Sequence, residues 1–419
     1  MKILQVNNVF RDGSTGKIVA DIHDGLLCRE IDSIVCYGRG ELYKEPNVYR
    51  ICSDLYSHAN HLLANLEGIM YGECFFSTNK LIRIIKKEKP DVVHLQCING
   101  YFVNIYRLIT WLKQHHILTV VTLHAEFMYT GGCGHSFTCI QWSTHNGCGF
   151  FQKCPRWKQE THSLFRDRTH AMWERMKNAF NGFDDGLVIT SVSPWLYERA
   201  IKSPIFAGKN QCVILNGVDI GGIFHPYGES TLSQLKKEIG LSNEKVIFHA
   251  TPEFNSDPNH IKGGYYLIEL AKQMPNVKFI VAGTHADDLK VPTNMILLGK
   301  VSNQRRLASL YSLANLTVLT SRIETFSMVT AETLCCGTPI VGFEAGAPEM
   351  IALCAYSEFV KFGDINALKN AVLRMLVRDI KTKEIAREAK RHYSKTRMTN
   401  DYIRIYKKLI DERNLELKG

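Results

Sequence analysis

Apolar runs of strand length recur along the first half of the chain, at Lys2–Val6, Ser33–Tyr37, Asp91–Leu95, Leu118–Leu123, Gly186–Val192 and Cys212–Leu215. Between them lie amphipathic stretches with helical spacing. Gly16–Cys28 sets Ile18, Val19, Ile22 and Leu26 on one face; Lys80–Lys89 and Asn104–His115 read the same way, and Pro90 stops the former. Continuous apolar strands alternating with such helices predict a parallel sheet covered on both faces.

The rhythm breaks in Phe224–Glu244, which holds Pro226, Gly228 and many polar residues, and a linker is expected at 223–244. A second series follows. Its strands are expected at Val246–His249, Lys278–Ala282, Met295–Leu298, Leu316–Thr320, Ile340–Phe343 and Glu358–Lys361. Its helices are expected at Gly263–Met274, Gln304–Ala314 and Asn366–Val377, and a last helix at Thr396–Arg413 carries Met398, Tyr402, Ile405, Tyr406 and Leu409 at helical spacing. The fold class is therefore α/β, with two Rossmann-like domains at 1–222 and 245–395 and a terminal helix in 396–419. Open parallel sheets bind ligands beyond the carboxyl ends of their strands, so function is expected in those loops, facing a shared cleft.

Length agrees, since 419 residues exceed one ordinary core and suit two. No apolar run approaches the roughly 18 residues of a membrane span. The start, MKILQVNNVF, reads as a first strand and not as a signal peptide, so a cytoplasmic location is expected. The net charge of +10 suits an anionic partner: a nucleotide, a phospholipid surface or nucleic acid. Nucleic acid drops out, because no zinc finger, RNP motif or basic block with interleaved aromatics is present.

The most informative segment is LTVLTSRIETFSMVTAETLCCGTPIVGFEAGAPEM. A strand ends at Ser321, a loop carries Glu324, and Ser327 is placed to cap a helix that contains Glu332 and stops at Gly337 and Pro339. A carboxylate accepts paired hydrogen bonds and so matches vicinal sugar hydroxyls. Two of them, seven residues apart, suit the two ends of one ligand, although solvated helix carboxylates have the same spacing. After Ile340–Phe343 come Glu344-Ala345-Gly346-Ala347 and then Pro348 in a first helical turn, where free N–H groups attract phosphate.

This segment resembles the signature of retaining glycosyltransferase family 4, which has the two-domain GT-B fold, and matches it at Ser321, Glu324, Glu332, Gly337, Thr338, Pro339, Gly346, Pro348 and Glu349. Asn216-Gly217-Val218-Asp219, Val281-Ala282-Gly283 with Gly299, Lys262-Gly263 and Gly13-Ser14-Thr15-Gly16 resemble further elements of that family in the same order. The resemblance implies an acceptor-side first domain, a nucleotide-sugar-binding second domain and a terminal helix that crosses back to the first. It implies that Glu324 binds donor-sugar hydroxyls, Glu332 the ribose and Lys262 the leaving diphosphate. Gly13, Gly16, Thr325, Phe326, Ser327, Gly346 and Ala347 would approach the donor, and the backbone near Lys300 and Val301 would pass the base. The donor would be a UDP- or GDP-sugar, with no cofactor needed for chemistry. The acceptor would be a lipid-diphosphate-linked glycan of a bacterial surface polysaccharide.

His124 follows a strand and matches a family histidine that contacts the donor sugar; a packing role is the other reading. Two departures stand out. The family's next aspartate is replaced in His124-Ala125-Glu126, leaving Glu126 as a stand-in, and no arginine occurs in His249–Ile261, leaving His249 or His260 to replace it. Other readings are a sugar-nucleotide epimerase or phosphorylase of the same fold, or a non-catalytic nucleotide-sugar-binding subunit of an assembly complex.

There are thirteen cysteines, and nine, including Cys28, Cys97 and Cys335, are scattered through apolar segments as thiols of a reducing compartment. Cys133, Cys139, Cys148 and Cys154 cluster in a glycine-rich loop near 131–155, with five, eight and five residues between them. Structural zinc, disulfides and free thiols all remain open there. The loop resembles one in family 4 enzymes of colanic acid, O-antigen and exopolysaccharide synthesis. Arg156, Lys158, Arg166 and Arg168, interleaved with Trp157 and Phe165, are candidates for docking at the anionic inner face of the plasma membrane, against the plainer reading of an amphipathic surface.

Overall fold

The computed structural model describes residues 1–416 and divides the chain into two compact units. The first holds Met1–Leu215 and the chain from Met398 onward; the second holds Asn216–Arg397. Among the described residues, thirteen strands form two all-parallel sheets, one in each unit.

In the first unit the strands are β1 (Lys2–Asn7), β2 (Asp32–Tyr37), β3 (Val48–Arg50), β4 (Val92–Leu95), β5 (Thr119–Leu123), β6 (Leu187–Ser191) and β7 (Asn210–Val213). Their order is β3-β2-β1-β4-β5-β6-β7. In the second they are β8 (Lys245–Glu253), β9 (Val277–Thr284), β10 (Met295–Leu297), β11 (Leu316–Leu319), β12 (Ile340–Phe343) and β13 (Ser357–Val360), in the order β10-β9-β8-β11-β12-β13. Each sheet runs outward from its first strand in both directions. The switch points lie between β1 and β4 and between β8 and β11, where the loops leaving the strands part and open a crevice.

The strand burial explains the parallel arrangement. Every residue of β4, β5, β6, β11 and β12 is buried, which requires cover on both faces. In the second unit, Leu267, Leu270 and Ala271 from one helix and Leu368, Ala371 and Val372 from another pack on Ile247, Phe279, Val281 and Val318. The first unit is completed by the end of the chain. The helix Lys395–Glu416 buries Met398, Tyr402, Tyr406 and Leu409 against Ile3, Ile18, Ile22, Val92 and Leu118. Tyr406 Oη lies 2.7 Å from His94 Nδ1, whose Nε2 lies 2.7 Å from Thr122 Oγ1, so a buried polar chain ties this helix to β4 and β5.

The linker expected at 223–244 is not a spacer. It holds the helix Glu229–Ile239, buries Leu235 and pairs Glu238 with Arg306 at 2.6 Å, all inside the second unit. The chain passes between units at Leu215–Asn216 and again at Arg397–Met398. There Val218 pairs with Ser394, its N–H donates to Tyr393 O at 2.6 Å, and Lys395 reaches Asp219 at 3.0 Å. A Cβ on Gly217 would stand 2.5 Å from Lys395 Cα, so only glycine at this position lets the Asn216–Asp219 element lie flush against the start of the last helix.

Candidate active site

The second unit brings its predicted residues together at the β8/β11 switch point. Lys262 Nζ stands 2.6 Å from Glu324 Oε1, both side chains partly exposed. Backbone geometry dictates the encounter. Arg322 N donates to Ile261 O at 2.8 Å and Thr320 Oγ1 to Lys262 O at 3.0 Å, which pins residues 261–263 to the end of β11. Gly263 has φ +65°, and a Cβ there would sit 2.1 Å from Thr320 O. The glycine thus permits the close approach that delivers the preceding lysine to Glu324.

Glu332 lies further along, on the helix Met328–Cys335, and accepts from Tyr311 Oη at 3.2 Å. It lines a cavity of about 420 Å³ together with Lys300, Val301, Thr251, Gly283 and Tyr311. Three predicted positions, Glu332, Lys300 and Val301, therefore share one pocket at the ends of β8 and β9. Thr251, Tyr311 and Val329 in its wall were not anticipated. Placement after a strand was the available signal for Thr251, whereas Tyr311 sits in a helix that reads as ordinary core.

Ser327, at φ +76°, caps the helix Met328–Cys335 by accepting from Thr330 N at 3.2 Å. The remaining first-turn amides have no acceptor within the helix and point their dipoles into the loop of Glu324, Thr325 and Phe326. The expectation of free N–H groups at Gly346 and Ala347 fails. Ala345 N and Gly346 N donate to the Glu349 carboxylate at 3.0 and 2.7 Å, and Ala347 N donates to Glu324 O at 3.2 Å. This turn instead clamps the Glu324 loop, since Glu324 N also donates to Ala345 O at 2.8 Å.

His249 does not replace the missing arginine. It is buried, and desolvation holds its pKa down to about 4, with Lys262 nearby pushing the same way. Its Nδ1 donates to Val318 O at 2.9 Å, which leaves Nε2 as a lone pair without a partner among the described residues. His260 lies 3.9 Å from Glu253.

In the first unit, Gly13 and Gly16 lie in the first turn of the helix Gly13–Leu27 after β1. His124 follows β5 and is nearly buried; burial lowers its pKa to about 4, so the ring is neutral near pH 7. Gln96 Nε2 donates to Gln5 Oε1 at 3.0 Å, so Gln96 Oε1 accepts from His124 Nε2 at 2.9 Å and Nδ1 is the acceptor nitrogen. Glu126 does not stand in for the absent aspartate. It is fully buried, pairs with Arg199 at 2.7 Å, and accepts from Tyr129 Oη at 2.9 Å and from Ser136 Oγ at 3.0 Å. Its charge holds the cysteine-bearing loop in place.

Within that loop all four cysteines are thiols, and Cys133 and Cys154 share a hydrogen bond. Cys148 lies near Cys139 and Cys154, so the four thiols are neighbours, and among the described residues no group of three His, Cys, Asp or Glu side chains stands in metal-ligand geometry.

Residues 258–392 match the family described as Glycosyl transferases group 1. The chain carries a group 1 glycosyltransferase domain. Lys262, Gly263, Lys300, Glu324 and Glu332 all lie within this glycosyltransferase domain. Over its whole length the chain is similar to WcaC of Escherichia coli (strain K12), described as a colanic acid biosynthesis glycosyl transferase. The two are 21% identical over 446 residues, covering 98% of this chain and 100% of that protein. Sucrose-phosphate synthase from Thermosynechococcus elongatus superposes with a TM-score of 0.66 at 14% identity, over 98% of this chain and 100% of its own. Anabaena Alr3699/HepE in complex with UDP-glucose superposes with a TM-score of 0.65 at 15% identity, over 97% and 100%. The architecture is that of the GT-B fold, two Rossmann-like units with parallel sheets.

Proposed function

We propose that the protein is a retaining glycosyltransferase that moves a sugar from a UDP- or GDP-sugar to a lipid-diphosphate-linked glycan in bacterial surface polysaccharide synthesis. The observation that carries the reading is the Lys262–Glu324 contact of 2.6 Å beside the cavity of Glu332. In a nucleotide sugar the diphosphate adjoins the sugar, so a cation for the one and a carboxylate for the other are expected side by side, and Lys262 and Glu324 are neighbours of that kind. Lys262 keeps further protons to donate, and Glu324 keeps a second oxygen to accept. The nucleoside extends into the cavity, with its ribose on Glu332 and its base along Lys300 and Val301. As the C1–O bond breaks, Lys262 and the first-turn amides of the helix Met328–Cys335 stabilise the departing diphosphate, a role that fixed charge fills without a divalent ion. Glu324 orients the ring and is not a nucleophile. The acceptor oxygen attacks C1 on the face the diphosphate leaves, and its proton passes to phosphate.

The similarity to WcaC supports the pathway, and the UDP-glucose complex of Alr3699/HepE supports the donor class. Donor titration with product analysis is the test. Lys262→Ala and Glu324→Ala are expected to lower turnover by about 100-fold or more with unchanged melting temperatures, and the product is expected to keep the donor's anomeric configuration. Wild-type turnover in both variants refutes the assignment. The commitment of Glu126 to Arg199 and the neutrality of His249 favour one second reading, a subunit that binds nucleotide sugar without transferring it. Donor binding with no product in the wild type identifies that case.

A further inference from the structure

The helix Asp54–Glu67 is folded inside out. Its buried face consists of Ser57, Asn60 and Ala64, and its leucines point away from the protein: Leu55 is 83% exposed, Leu62 65% and Leu66 53%. A surface helix ordinarily turns its apolar stripe inward. Here the inverted orientation is held by hydrogen bonds. Ser57 Oγ donates to Gly100 O at 2.9 Å, and Asn60 accepts from Cys74 N at 3.2 Å while donating to Tyr56 O at 2.8 Å. Turning the helix over would strand these buried groups.

The leucine stripe is continued by its neighbours. Phe76 packs on Tyr56 at one end. At the other, Leu164 N donates to Asn65 O at 2.9 Å, which sets Leu164 and Phe165, 59% and 71% exposed, beside the last turn of the helix. The chain bearing them is basic: between Lys153 and Arg168 five Lys and Arg stand against Glu160 and Asp167. Glu160 is paired with Arg156, and Asp167 accepts from Cys154 N and Thr169 N. Near the helix end, Glu67 and Glu73 are hydrogen-bonded to each other, with Arg175 close by.

We infer that this face of the first unit is a membrane-docking surface: Leu62, Leu66, Leu164 and Phe165 enter the headgroup–acyl boundary of an anionic bilayer, and Arg166 and Arg168 meet its phosphates. Apolar side chains edged by cations are what an anionic lipid surface selects. A second copy of the chain fits less well, because a two-fold contact through this patch would set one basic edge against another. The inference does not depend on sugar transfer.

Co-sedimentation of the full chain with vesicles tests it without any donor. Binding to phosphatidylcholine–phosphatidylglycerol vesicles is expected to exceed binding to phosphatidylcholine alone by roughly tenfold or more. Leu62→Ser with Leu66→Ser, and separately Arg166→Ser with Arg168→Ser, are expected to weaken it by roughly tenfold each while leaving thermal melting in place. A wild type that stays in solution with anionic vesicles, or variants that bind as well as it does, overturns the inference. So does a wild-type dimer that the leucine pair dissociates with no effect on vesicle binding.

Discussion

At Gly263 the requirement is geometric. The residue is left-handed, and a Cβ would collide with the Thr320 carbonyl, which is backbone and cannot swing aside. Gly263→Ala is expected to lose about 2 kcal/mol or more of stability, read as a lower urea midpoint. It is also expected to weaken donor binding, because Lys262 is carried on the same turn. Retention of both would show that the turn relaxes freely. Lys262-Gly263 was legible as a motif, but its cause was not: nothing in the local string reveals that a carbonyl 57 residues later occupies the space. Glu126 and His249 show the opposite failure. Their chemistry suited the vacant roles, yet burial and existing partners had already consumed or neutralised them.

Among the elements, the strands were the most legible, since fully buried parallel strands are continuous apolar runs and helix termini carry Pro90, Ser327 and Gly337 as punctuation. Helix orientation was less so. The reversed helix Asp54–Glu67 has small polar residues inward, and no periodicity argument separates that from leucines inward. Of the four buried histidines among the described residues, the three in or beside strands, His94, His124 and His249, leave the sheets vulnerable to acid. Desolvation lowers His94 to about 3 and both His124 and His249 to about 4. An unfolded histidine titrates near 6.5, so between about pH 6.5 and 4 the unfolded chain binds protons that the folded one refuses. Stability is therefore full above that window and falls as pH drops through it, by up to about 1.4 kcal/mol per pH unit for each ring. Urea midpoints measured from about pH 7 to 5, above the carboxylate range, check this. A flat profile contradicts it.

For the whole molecule, the decisive element is the last helix. Met398, Tyr402, Ile403, Tyr406 and Leu409 are buried in the first unit, at about 1.5–3 kcal/mol each as an upper-bound burial contribution. Their sum is comparable to the net stability of a domain. Truncation after Arg397 is expected to leave the first unit unfolded or aggregated, with loss of near-ultraviolet circular dichroism from its aromatic residues. A soluble truncated chain with wild-type signal shows that the helix is dispensable.

What the sequence determined by itself was the alternation of buried strands with amphipathic helices, hence two doubly wound sheets, and the order of the glycines, lysine and glutamates along them. These follow from local periodicity and from residue chemistry that acts over a few positions. The tertiary structure alone decided which amides and carboxylates still had capacity for a ligand and which helix face met solvent. Those outcomes depend on groups far apart in the chain competing for the same hydrogen bonds and the same volume, and only folding resolves that competition.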